Sequence, residues 1–291
     1  MALQLNGVCG VDNKSLRCIR SGALTGLHWK SAVAWGATAL VSALTSTLTG
    51  CSLAPTQTGH EHDYPADAVT QSPWAQASQP EGLAPLPWRN HHFPGKQITH
   101  FQYQRLDGRD AVEAQADSSA SLLRQVLRVE PERLGALKFS WKVPALITEA
   151  DMTQRDADDS PVRVMLAFDG DRSKLSTRNA MMSELARALT GEDLPYATLV
   201  YVWSNKLPQD STLNSPRSDR IRKIVLESGP THLGQWLNYE RDIRADYQRC
   251  FGEPPGPLIG VAIMTDTDNT HSHSQAWYGP VQLQLKPRGS P

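Results

Sequence analysis

The sequence predicts a mainly β protein, a β-sandwich of jelly-roll type with two amphipathic helical insertions. Three observations carry that reading. Short apolar runs with two-residue alternation arrive one after another, separated by turn residues. No βαβ alternation and no glycine-rich phosphate loop is present. Only two stretches place apolar residues at helical spacing.

Taken from the N-terminus, Arg17, Arg20 and Lys30 precede an uncharged run from Ser31 to Thr49. The run is weaker than a membrane span of about 20 apolar residues and reads as the h-region of a secretory signal over residues 1–50. Leu48-Thr49-Gly50-Cys51 resembles the bacterial lipobox, and that resemblance implies acylation of Cys51. Ser52 follows the cysteine where an aspartate would favour the inner membrane. The expected address is the periplasmic side of the outer membrane, with the bacterial membrane as a partner. From Ser52 to about His92 there are six prolines, many Gln, Ser and Ala, and few aliphatics. Residues 51–92 are therefore expected to be a disordered linker, and residues 93–287 the sandwich.

Within the body, Ile98–Leu106 and Asp110–Ala116 flank Asp107-Gly108, a strong hairpin signal. Leu137–Val143 alternates, with Leu137, Phe139, Trp141 and Val143 on one face and Lys138, Ser140 and Lys142 on the other. Arg163–Asp169, Ala197–Trp203, Ile221–Ser228, Leu258–Asp266 and Gln275–Leu285 complete the predicted strands. Ser176–Leu189 spaces Met181, Leu185 and Leu189 by four and stops before Gly191, a helix with its cap. Asp242–Phe251 does the same with Ile243, Tyr247 and Phe251, ending at Gly252. Both helices are expected to pack their stripes on the sheets.

Composition narrows the class of partner. The net charge is −1, and the chain without its first 51 residues keeps 25 basic against 29 acidic side chains. A mildly acidic body lacks the basic stripe that a nucleic-acid partner requires. Of the four cysteines, only Cys250 lies beyond the lipobox, so no disulfide within the body is expected.

Trp141-Lys142-Val143, Asp158-Asp159 leading to Arg163, Leu199–Trp203, Gly234-Gln235-Trp236, Asp246-Tyr247 and Asp266-Thr267-Asp268-Asn269-Thr270 follow one another in order. In that order they resemble the bacterial domain-of-unknown-function family numbered 3047, over about Trp88 to Leu285. Ser160-Pro161 departs from the apolar or aromatic residue that usually follows the aspartate pair in that family. The resemblance implies the fold and the compartment, and no activity.

The chemistry-bearing residues concentrate where Leu258–Asp266 runs into Asp268, Asn269, His271 and His273. Asp266 and Asp268, two apart, lie about 6.5 Å from each other if the strand continues. Three readings stay open: Asx turns that end the strand, a ligand or Ca²⁺ site with Asn269 adding oxygen, or an acid–base pair at glycosidase spacing. No other cofactor is expected. Asp158 and Asp159 read either as a second acidic patch or as an ion pair with Arg163. Asp246 shares its helix's apolar stripe and needs a partner there. His271 and His273 have Zn²⁺-like spacing, but in a solvated loop. Trp203 with Asn205, Trp236 and Trp277 add aromatic surface of the kind that stacks on sugars, or core. Trp203 is the one expected at the surface. No catalytic triad order, nucleophile elbow, HExxH or CxxC motif is present. These residues point first to a binding module for a cell-envelope glycan, with Asp158, Asp159, Asp266, Asp268, Asn269, Trp203, Asn205, Trp236 and Trp277 around the ligand. The alternatives are a glycan hydrolase using paired aspartates and an envelope scaffold without a small-molecule site.

Overall fold

The computed structural model describes residues 63–287. The signal segment and Cys51 lie outside these residues, as does the beginning of the predicted linker. Among the described residues no helix is long and apolar enough to cross a membrane.

Two sheets face each other. The larger has eight strands: β1 (Asp63–Pro65), β2 (Trp88–His92), β5 (Ser121–Val129), β12 (Leu258–Asp266), β7 (Ser160–Phe168), β8 (Ala197–Ser204), β10 (Ser218–Ser228) and β9 (Thr212–Ser215), in that spatial order. The smaller orders β11 (Trp236–Asp242), β6 (Leu134–Lys142), β13 (His273–Tyr278), β4 (Arg109–Asp117) and β3 (His100–Leu106), with β14 (Gln282–Leu285) also paired to β6. All the pairings of named strands are antiparallel except β8 with β10. The alternation seen in the sequence builds the core between the sheets. Leu137, Phe139 and Trp141 from β6 meet Val164, Leu166 and Phe168 from β7 in one buried cluster, and Phe139 stacks on Tyr201 of β8 at 5.6 Å. The β3–β4 hairpin turns through Asp107 (φ 52°) and Gly108 (φ 76°), the doubly left-handed turn that suits twisted strands.

Four departures from the sequence reading have physical causes. The predicted linker is folded from Asp63 onward. Trp74 and Trp88 are fully buried with ring centroids 4.8 Å apart. Thr70 and Trp88 exchange hydrogen bonds, and β1, β2 and two short helices, α1 (Asp67–Thr70) and α2 (Pro73–Ala77), form around them. The prolines suppressed the expectation of structure, yet Pro73 opens α2 behind the Ser72 cap, where a proline fits. The run Gln275–Leu285 is two strands, because Gly279-Pro280 breaks it; a Cβ on Gly279 would lie 2.1 Å from the Ser140 hydroxyl. Helix α3 (Thr177–Thr190) carries the predicted C-cap, Gly191 at φ 76°, but turns its apolar stripe outward. Met181, Leu185 and Leu189 are 60–66% exposed, while Asn179 and Ser183 face the body through Asp219, Ser218, Arg172 and Leu194. Helix α4 (Ile243–Phe251) behaves as read, with Ile243 and Tyr247 fully buried. Finally, Trp203 is core: it is fully buried and donates its indole N–H to the Gly229 carbonyl at 3.0 Å.

Candidate functional site

The aspartates of the sequence reading do come together, and the structure spends them internally. Asp159 is fully buried at the start of β7 and accepts four hydrogen bonds from the loop after β12. Asn269 donates its side-chain amide at 2.7 Å and its backbone N–H at 3.3 Å; Thr270 donates its N–H at 2.8 Å and its hydroxyl at 2.6 Å. Asp266 accepts from the Ser160 N–H at 3.1 Å and from Arg163 Nε at 2.7 Å. Arg163 turns its other edge to the carbonyl and carboxylate of Asp158 at 2.8 and 3.1 Å. Lys223, buried on β10, also donates to Asp158. Burial works against charge on Arg163, and Asp266 and Asp158 more than offset it, raising its pKa. Burial pushes the Asp266 carboxyl up to about 6 against the pull of Arg163. Burial, with Arg163 alongside, brings Lys223 down to about 8 despite Asp158.

This network fastens the loop before β7 and the loop after β12 to the outer face of the large sheet. Asn205 adds to it by donating to the carbonyls of Ile147 and Ala150 at 2.7 and 3.1 Å. Asp159, Asp266 and Asp268 each bring one carboxylate oxygen within 4.8 Å of the others, a spacing compatible with a cation. Each of the three carboxylates already accepts through at least one oxygen, from Arg163, from Lys96 or from the Asn269–Thr270 donors. Asp246 is satisfied by a two-pronged contact from Arg241, at 2.8 and 2.6 Å, and by the Tyr201 hydroxyl at 2.9 Å. His271 and His273 are exposed.

The accessible chemistry lies on the opposite side of the molecule, on the outer face of the small sheet. In antiparallel pairs, residues directly opposite share a face. Trp236 of β11 and Trp277 of β13 both sit opposite Lys142 of β6; Glu113 of β4 faces Trp277, and Gln102 of β3 faces Glu113. These five make one row across the sheet, with the two indoles about 10 Å apart at two strand spacings. Trp236 is held in place from the side. Its N–H donates to Asp107 at 3.0 Å, and the Arg109 guanidinium lies 5.3 Å from its ring centre. Lys142 also donates to Asp107, at 2.7 Å, and Arg109 to the Asn238 amide oxygen at 2.7 Å. The hairpin tip thus overhangs the sheet and walls an open groove of about 450 Å³ floored by Lys138, Ser140, Asn238 and Glu240.

Of the residues named from sequence, Trp236 and Trp277 belong to this surface. Arg109, Asp107, Asn238 and Glu113 were missed. The alternation of Lys138, Ser140 and Lys142 marked the outward face of β6, but the register that sets Trp236 and Trp277 beside it involves distant strands.

The chain belongs to the family described as Protein of unknown function (DUF3047), which matches residues 86–282. No curated protein matches the sequence. Among solved structures it is similar to the xyloglucanase domain of NopAA, a type three effector from Sinorhizobium fredii, in complex with cellobiose. That similarity has 8% identity and a TM-score of 0.37, over 69% of this chain and 94% of the other. A second is endoglucanase 3 from family GH12 of Trichoderma harzianum, at 9% identity and a TM-score of 0.35, over 73% and 88%. These likenesses concern the fold and assign neither ligand nor activity.

Proposed function

We propose that this protein is a non-catalytic binding module for a cell-envelope glycan, and that the outer face of the small sheet is the binding surface. The observation that carries the reading is the row Trp236–Lys142–Trp277, partly exposed and pre-set by Asp107 and Arg109 beside a polar groove. Aromatic rings offer apolar surface to the C–H faces of a sugar, and the amides, carboxylates and hydroxyl around them match its hydroxyl groups. Pre-set side chains lose little entropy on binding. Titration calorimetry against a panel of envelope glycans tests this. Trp236→Ala is expected to weaken binding about thirty-fold, the ~2 kcal/mol of an interface anchor, with Trp277→Ala similar and Asn205→Ala without effect. A panel in which nothing binds the wild type would leave the scaffold reading instead.

We propose further that the chain is exported and tethered through an acylated Cys51 to the periplasmic side of the outer membrane. The basic residues, uncharged run and Leu48-Thr49-Gly50-Cys51 support that reading. Labelling with a radioactive fatty acid should mark the wild type and not Cys51→Ser; equal labelling of both would sink it.

A further inference from the structure

The groove beneath Arg109 does not stop at Gln282. A second depression of about 470 Å³ shares Gln282 and continues past Gly135 and Ala136 to Lys286, Pro287 and Glu81. Lys142, Ser140, Lys138 and Ala136 alternate along one face of β6, so the two depressions form a single trough that follows this strand away from Trp236. From Lys142 to Ala136 the strand rises roughly 20 Å. The lysines on its floor are already matched. Lys142 pairs with Asp107 at 2.7 Å and Lys138 with Glu240 at 3.5 Å, and Arg109 is held by Asn238 and the Trp236 ring. Ser140, Asn238, Gln282 and Gln284 supply neutral hydrogen-bonding groups along its length.

We infer that the trough takes an uncharged, extended glycan chain of several sugar units, laid along β6 with one end on Trp236. The inference rests on the glycan reading above and adds the length and charge of the ligand. A single sugar would leave most of the trough unfilled, and a polyanion would find both β6 lysines already paired with carboxylates and, at the far end, Glu81 beside Lys286.

The test is a length series. Neutral cello- and chito-oligosaccharides, from disaccharide to hexasaccharide, are titrated into the purified protein beside a uronic-acid oligomer of matched length. Affinity for a neutral series should rise at least ten-fold from disaccharide to hexasaccharide, and the uronic-acid oligomer should bind more weakly than its neutral counterpart. Ala136→Trp fills the far end of the trough and should erase the gain with length while leaving disaccharide affinity within two-fold. Gln284→Trp, on the exposed side of β14, provides the same block should Ala136→Trp fail to fold. Affinity independent of length, hexasaccharide binding unmoved by both blocks, or preference for the uronic-acid oligomer overturns the inference and leaves the platform at Trp236 standing. A wild type that binds no oligosaccharide of any length removes both.

Discussion

Asp159 and Asp268 lie close together and should answer differently to mutation. Asp159→Ala strands four partly buried donors of Asn269 and Thr270 and is expected to cost about 3 kcal/mol in urea unfolding. Asp268→Ala gives up a contact with the half-exposed Lys96 and should cost about 1 kcal/mol or less. Equal costs would show that the lock is not centred on Asp159. Titration separates Asp266 from Lys223. Folding raises the Asp266 pKa from 3.8 to about 6, so its contribution to stability is full below pH 4 and is lost as the pH rises through 6. Lys223 moves the other way: with its pKa lowered from 10.5 to about 8, the unfolded chain binds the extra proton and stability rises between those values. Asp266→Asn should remove the first slope from a plot of urea midpoint against pH, and Lys223→Met the second. The sequence showed the aspartates as a cluster but neither their use nor Lys223. Whether Asp158 and Asp159 serve a ligand or a lock depends on Asn269 and Thr270, about 110 positions away.

The two longer helices give the clearest contrast between what periodicity tells and what it leaves open. Both were legible from apolar spacing and a terminal glycine, and both end in a left-handed cap at Gly191 and Gly252. Spacing identifies a stripe; it does not say which way the stripe points. In α4 the stripe enters the core, and Ile243→Ala should cost about 3 kcal/mol in urea unfolding. In α3 the side chains that bind the body are Asn179 and Ser183, through named hydrogen bonds. Changing Met181, Leu185 or Leu189 to Gln should alter stability by less than ~0.5 kcal/mol each. Strands with alternation on one face, such as β6, were read correctly for the same reason: one face is apolar and the other is not. β5 and β11 were missed. In β11, Asn238, Glu240 and Asp242 alternate with Leu237, Tyr239 and Arg241, and the polar tips of Tyr239 and Arg241 blur the pattern.

For the molecule as a whole, the largest revision concerns where the domain begins. Trp74 and Trp88 bury roughly 150–250 Å² each, which at ~25 cal/mol per Å² is on the order of 10 kcal/mol together, comparable with the entire stability of an ordinary domain. A chain starting at Phe93 should therefore lose its cooperative thermal transition, whereas one starting at Asp63 should keep it. Two similar melting curves would restore the linker reading. The segment was opaque in the sequence because its prolines and polar residues outnumber its anchors, Trp74, Trp88 and Val69. The fold also has a bearing on how this protein behaves at high concentration. The large sheet ends on one side in β1, three residues closed by Pro65, and on the other in β9, four residues long. The small sheet ends in β3 and β11, whose outward positions include His100, Gln102 and Gln104 on one side and Trp236, Asn238, Glu240 and Asp242 on the other. Short or proline-bearing margins on the large sheet, and mostly polar ones on the small sheet, give a neighbouring chain little to pair with. A mainly β protein with such margins is expected to resist edge-to-edge growth into fibrils.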